Sequence, residues 1–164
     1  MNIIRELHAD DRPVILQILT TTAMFTPAEI DVAMELIDIV LTKPDQTDYL
    51  IWVAEQEGGQ VSGYVCYGPT PATEGTYDLY WIAVSPEVQG QGIGRDLLNH
   101  VEAAVRIRHG HLIIIETSSQ EKYLPTRNFY LKNGYTVAAQ IRDFYRPGDD
   151  RVIFVKYFNI QENK

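Results

Sequence analysis

The sequence is poor in cysteine. Cys66 stands alone, so no disulfide can form within the chain. A chain of 164 residues does not need one, because a globule of that length buries roughly 70% of the surface its unfolded form exposes. Long apolar runs are missing as well. None approaches the ~18 residues of a membrane span, and the opening Met1-Asn2-Ile3-Ile4-Arg5-Glu6 lacks the shape of a signal peptide. The expectation is a cytoplasmic protein with no membrane contact. Basic residues are scarce, 14 Lys and Arg against 22 Asp and Glu, for a net charge of −8. Such acidity argues against nonspecific nucleic-acid binding. His8, His100, His109 and His111 show no ligand spacing with cysteine or carboxylates, so no metal is expected. There is no repeat, no low-complexity tract and no linker long enough to divide the chain, which points to one domain over residues 1–164.

The charge that is present is unevenly spread. Residues 1–91 hold three basic groups (Arg5, Arg12 and Lys43) and fourteen acidic ones, net −11; residues 92–132 carry +2 and residues 133–164 carry +1. An anion suits the middle segment and a cation the N-terminal part, although a solvated acidic surface accounts for the same numbers.

Periodicity gives the elements. Ile3 to Glu6 reads as a short strand. Asp10-Asp11 can cap a helix running to about Thr22, with Val14, Ile15, Ile18 and Leu19 on one face. Thr26-Pro27-Ala28-Glu29 is a capping box with proline at the first helical position, and Pro44 closes that helix. Tyr49 to Glu55 and Val61 to Gly68 are strands joined through Gly58-Gly59. Cys66 lies in the second and reads as a small buried hydrophobe rather than a nucleophile. Thr76 to Val84 is a third strand of this group. Ile93, Leu97, Leu98, Val101, Ala104 and Val105 mark a helix from Gly92 to about Arg108. His111 to Glu116 is a strand that looks buried on both faces. A helix from Pro125 to about Lys132 precedes two strands, Tyr135 to about Phe144 and Val152 to Phe158, with Pro147-Gly148-Asp149-Asp150 as their turn. The order β-α-α-β-β-β-α-β-α-β-β is α/β (α+β): a mixed, mostly antiparallel sheet with helices on both faces.

The strongest chemical signal is Gln89-Gly90-Gln91-Gly92-Ile93-Gly94-Arg95, between a strand and an amphipathic helix. Alternate glycines let backbone approach a ligand. The helix start adds unpaired N–H groups and the positive end of its dipole, which together suit a phosphate or pyrophosphate. Arg95 can add a charge-assisted contact. A nucleoside-triphosphate loop needs Gly-Lys-Ser/Thr, whereas Gly94 is followed by Arg95-Asp96. A dinucleotide fingerprint fails because its third glycine would fall at Arg95 or Leu97, although Glu116 could mimic its ribose-binding acid.

Here the chain resembles the GNAT (general control-related N-acetyltransferase) superfamily. Gln89-Gly90-Gln91-Gly92-Ile93-Gly94 matches that family's Gln/Arg-x-x-Gly-x-Gly/Ala, with Val84-Ser85-Pro86 as lead-in. Phe129-Tyr130-Leu131-Lys132-Asn133-Gly134-Tyr135 is similar to its Phe-Tyr-x-x-x-Gly-Phe/Tyr. The resemblance implies a sheet split between its fourth and fifth strands and acetyl-CoA as co-substrate. It implies cofactor contacts from the backbone of Ile82, Ala83 and Val84 as well as from Gln89, Gly90, Gln91, Gly92, Ile93, Gly94 and Arg95. Where members often carry Asn and Ala, this chain has Tyr123 and Thr126, so the pantetheine contact of that Asn is not carried over.

Acetyl transfer to an amine needs a neutral nucleophile, a stabilised oxyanion and a protonated leaving thiolate. By the resemblance, Tyr130 is the acid toward sulfur. Asp78 shares a strand face with Tyr80, Ile82 and Val84 and is one candidate base; Glu116 is the other. Tyr77, Tyr80 and Trp81 can line an acceptor pocket or pack the core. The leading reading is direct transfer of acetyl from acetyl-CoA, in a ternary complex, to a primary amine of a small molecule or amino-acid-like acceptor, with a homodimer allowed. Alternatives are acetylation of a protein lysine or N-terminus, and a non-catalytic acetyl-CoA sensor.

Overall fold

The structure is a computed structural model that describes residues 2–158. Its elements follow the expected order: β1 (Ile3–Glu6), α1 (Asp11–Thr21), α2 (Pro27–Thr42), β2 (Leu50–Glu55), β3 (Val61–Pro69), β4 (Thr76–Val84), α3 (Ile93–Ile107), β5 (Leu112–Ser118), α4 (Leu124–Lys132), β6 (Thr136–Arg146) and β7 (Asp149–Tyr157). Single 3₁₀ turns at Pro86–Val88 and Glu121–Tyr123 precede α3 and α4. The strands are ordered β1-β2-β3-β4-β5-β7-β6. The chain forms two compact units. The first comprises the described residues up to Gly68 together with Tyr80–Ala103; the second comprises Pro69–Leu79 and the described residues from Ala104 onward. β4 therefore runs from the second unit into the first.

In the first unit β1 pairs antiparallel with β2, and β2 with β3. The glycine turn between β2 and β3 uses Gly58 and Gly59 at φ +98° and +87°, which L side chains rarely adopt. Thr26 caps α2 through the expected box: its hydroxyl accepts from the Glu29 amide and the Glu29 carboxylate accepts from the Thr26 amide. Ile15, Ile18 and Leu19 of α1 and Ala33, Met34 and Ile37 of α2 close a core with Ile51, Val53, Tyr64, Cys66 and Ala83. α1 begins differently from expectation. Asp10 makes no side-chain cap. Asp11 is buried instead, accepts from the His8 amide at 2.7 Å and receives both Nη atoms of Arg5 at 2.8 and 2.9 Å. Arg5 Nε also donates to Glu55 at 2.5 Å. Burial alone would raise the Asp11 pKa, but the Arg5 hydrogen bonds, the His8 amide and the Arg5 charge outweigh it and hold the carboxyl below 3.8.

In the second unit β4 runs parallel to β5 from Thr76↔Leu112 to Leu79↔Ile115. The pairing stops there while both strands continue, which is the split expected between the fourth and fifth strands. β7 pairs antiparallel with β5 on one side and with β6 on the other, so β6 is the edge and is exposed along its length. A register shift between Ile141 and Arg146 bulges β6, with Asp143 at φ +55°.

Two expectations change here. The β6–β7 connection is only Pro147-Gly148, since Arg146 pairs with Asp149 and Gly148 sits at φ +81°. Asp149 and Asp150 belong to β7. Asp149 is buried because Ser118 Oγ and Gln120 Nε2 both donate to its carboxylate. A partnered aspartate in a strand has the same letter as a solvated turn residue. β5 is also not buried on both faces: Ile113, Ile115 and Thr117 are buried, whereas Glu116 is exposed.

Candidate active site

The glycine loop belongs to the first unit. β4 ends at Val84, and the Ser85 amide donates to the Ser62 carbonyl at 2.8 Å, fixing the exit. Gln89 Nε2 donates to the Val84 carbonyl at 3.2 Å and folds the loop back on the strand. Gly90 and Gly92 lie at φ +80° and +86°. A Cβ at Gly90 would meet no heavy atom within 4 Å, and one at Gly92 only Arg95 Nη2 at 3.8 Å. The glycines are thus required by backbone conformation, and the space before them is open. α3 starts at Ile93 and is anchored by the buried Ile93, Leu97, Leu98 and Val101. Its first amides have no carbonyl one turn earlier and carry the positive end of the helix dipole. Exposed Arg95 stands in this first turn. The loop thus presents open backbone, the unpaired amides of a helix start and one exposed cation, features suited to an anionic group. Ala83 points into the core, so its side chain is not available to a ligand. Trp81 is partly buried, packing against the core and edge-on against Phe25 at 5.3 Å. Tyr80 is more open and meets Tyr49 edge-on at 5.6 Å.

The titratable candidates lie in the second unit. Tyr130 is buried on α4 among Phe129, Tyr135 and Phe154, with ring centroids 5.5, 6.0 and 5.5 Å away. Burial pushes its phenol pKa up, so the group keeps its proton. Asp78 is half-buried on β4 and accepts from Thr70 Oγ1 at 2.7 Å. Glu116 is ion-paired with Arg151 of β7. The register of β5 and β7 sets these groups on two faces. Phe154, which touches Tyr130, lies opposite Ile115, whereas Glu116 lies opposite Ile153. Strand alternation then places Tyr130 against one face and Glu116 on the other. Asp78, opposite Ile114 in the parallel ladder, shares the Glu116 face.

Sequence reasoning did not single out Arg151, Thr70 or Phe144. Arg151 stacks its guanidinium 4.7 Å over the Phe144 ring while holding Glu116. One charged residue in an alternating strand gives no signal of such a contact across three strands. Arg127 donates to the carbonyls of Ser118 and Gln120, both at 2.8 Å, and so fixes the approach to α4. Tyr123, at the position of the family's frequent Asn, lies at the N-cap of α4 beneath Lys122. Among the described residues no three His, Cys, Asp or Glu side chains form a metal-binding group. No helix among them is long and apolar enough to cross a membrane.

A mixed sheet whose fourth strand parts from its neighbour and feeds a glycine loop at a helix start defines an α/β protein built to hold a phosphate-bearing ligand. Residues 47–137, more than half of the chain, match the model of the acetyltransferase (GNAT) domain, so the chain belongs to the GNAT acetyltransferase family. A GNAT-family structure from Desulfovibrio desulfuricans is 43% identical with a TM-score of 0.91, covering 96% of this chain and 99% of that one. A Pseudomonas phage PaMx11 protein described as a 5-NmdU N-acetyltransferase is 34% identical over 90 residues, 55% of this chain and 59% of that relative's length. A Salmonella typhimurium protein solved with its cofactor acetyl-CoA shares the fold at a TM-score of 0.75 and 20% identity, covering 100% and 98% of the two chains.

Proposed function

We propose that this protein moves an acetyl group from acetyl-CoA directly to a primary amine of a small molecule or amino-acid-like acceptor. This reading takes residues 1–164 as a single acetyltransferase domain. The observation that carries this reading is the glycine loop after β4, whose Gly90 and Gly92 stand at φ +80° and +86° before open space at the start of α3. Amine acetylation also requires a proton to leave the attacking amine and another to reach the departing sulfur, for which Asp78, Glu116 and Tyr130 are the candidate groups.

When bound, acetyl-CoA supplies the activated acetyl thioester. The amides of residues 89–95 and Arg95 hold its pyrophosphate, and the backbone of Ile82, Ala83 and Val84 binds its pantetheine arm. An amide near Val84 polarises the carbonyl. Glu116 or Asp78 accepts a proton from the acceptor ammonium, because an alkylamine with a pKa near ~10.4 is charged at neutral pH. The Tyr130 hydroxyl donates its proton to the leaving thiolate. A covalent route through the lone cysteine is disfavoured, since burial pushes the Cys66 thiol up to about 12 and leaves it protonated in the core. The N-acetyltransferase description of the phage relative agrees with nitrogen as the acceptor atom.

The test is release of free thiol from acetyl-CoA with a panel of amines and amino acids, for the wild type and Tyr130→Phe. Turnover with at least one amine and a loss on the order of 10²-fold in kcat for the variant are expected. Binding of acetyl-CoA without turnover on any amine or protein substrate would make the chain a sensor.

A further inference from the structure

Glu116 is exposed, yet its carboxylate is held. On β7, Arg151 lies opposite Ser118 of β5 and Ile141 of β6, and its side chain reaches back to Glu116. The guanidinium is not left to solvent alone, because its carbon sits 4.7 Å above the Phe144 ring of β6. Arg151 Nε is enclosed and has no hydrogen-bond partner among the described residues. The side chain is therefore pinned by an aromatic face at one point and a carboxylate at another. A planar guanidinium fixed in this way presents its N–H groups in one direction, which a flexible ammonium cannot do.

The charged surroundings are asymmetric. Asp78 of β4 shares the Glu116 face but is tied to Thr70. Asp149 of β7 is buried under Ser118 and Gln120, with Arg146 of β6 3.8 Å away. Arg142 and Asp143 of β6 pair with each other at 3.8 Å. Arg151 is the cation in contact with Glu116.

We propose that Arg151, clamped on Phe144, is a positioning residue for Glu116: it aims the carboxylate so that it can take the proton of the acceptor ammonium. This rests on the reading of Glu116 as the base. In that step one N–H bond of the ammonium breaks and one O–H bond forms on Glu116. The proton then passes to solvent, and the neutral amine is left to attack. A carboxylate beside a fixed cation is the weaker base but hands that proton on to solvent readily.

The experiment is a carbon-13 NMR titration of the side-chain carboxyls in the full chain without ligands, with Glu116→Gln assigning the Glu116 signal. It is run alongside pH profiles of kcat/KM with acetyl-CoA and a primary alkylamine. Arg151→Met should move the Glu116 titration midpoint upward by about one pH unit. The acid limb of kcat/KM should move by the same amount. Arg151→Lys should restore part of the shift, since it keeps the charge but not the stacked plane. Phe144→Leu should move both in the same direction by less, and it carries the test if Arg151→Met does not fold. A Glu116 titration unchanged in both Arg151→Met and Phe144→Leu overturns the proposal while leaving Glu116 as base intact. A moved titration with an unmoved kinetic limb, or a limb that survives in Glu116→Gln, overturns the proposal together with the base assignment.

Discussion

Asp11 is a carboxylate that folding removes almost entirely from water. It tolerates this because two Arg5 nitrogens and the His8 amide replace the lost hydration. Its folded pKa lies below the ordinary 3.8. Its contribution to stability is therefore fully present above pH 3.8 and fades as pH falls through the lower folded value. Asp11→Asn should cost roughly 2 kcal/mol at neutral pH, the usual range for losing a hydrogen-bonded charge partner. It should also flatten the acid limb of the stability curve. Urea unfolding of wild type and variant between pH 7 and pH 2 checks both. A variant whose curve runs parallel to that of the wild type would mean that other carboxylates set the acid limit.

At the scale of the element, the glycine loop joins a strand exit to a helix start, and its conformation is set locally. Gly92→Trp places a side chain at φ +86° into open space. The expected strain is about 1–3 kcal/mol, which a domain of this size survives, while the indole fills the space in front of the first α3 amides. Calorimetry on the folded variant should show no binding of acetyl-CoA, and unchanged affinity would place the cofactor elsewhere. This element was the most legible part of the chain, because its glycines, its lead-in and the period of α3 are all local signals. The capping box of α2 and the Gly58-Gly59 turn were readable for the same reason. What could not be read depends on contacts distant in sequence. Asp149 looked like a turn residue until Ser118 and Gln120 came to it. Arg151 meets residues of β5 and β6 that no window of sequence places beside it. Asp11 joined a part-buried cluster in which Arg5 holds both Asp11 and Glu55, instead of exposing a cap.

For the whole molecule, residues 1–91 carry −11 within a total of −8. Acidity of that size should raise the local concentration of a cationic acceptor and weaken as salt screens it, since the Debye length shrinks from ~30 Å at 0.01 M to ~10 Å at 0.1 M. With acetyl-CoA saturating, kcat/KM for a polycationic amine should fall several-fold over that range, while that for a zwitterionic amino acid changes little. Equal salt dependence for the two would reduce the acidity to a solvated surface. The exposed β6 edge has a consequence of another kind, in crowded solution. Thr136-Val137-Ala138-Ala139 offers a short apolar stretch beside backbone groups that a second strand could cap, the starting point of fibre-like stacking. Further along the same strand, Arg142, Asp143 and Arg146 and the bulge between Ile141 and Arg146 break the ladder. A strand adding to this edge would lose its register within a few residues and bring charges into contact, so the hairpin carries its own guard against aggregation.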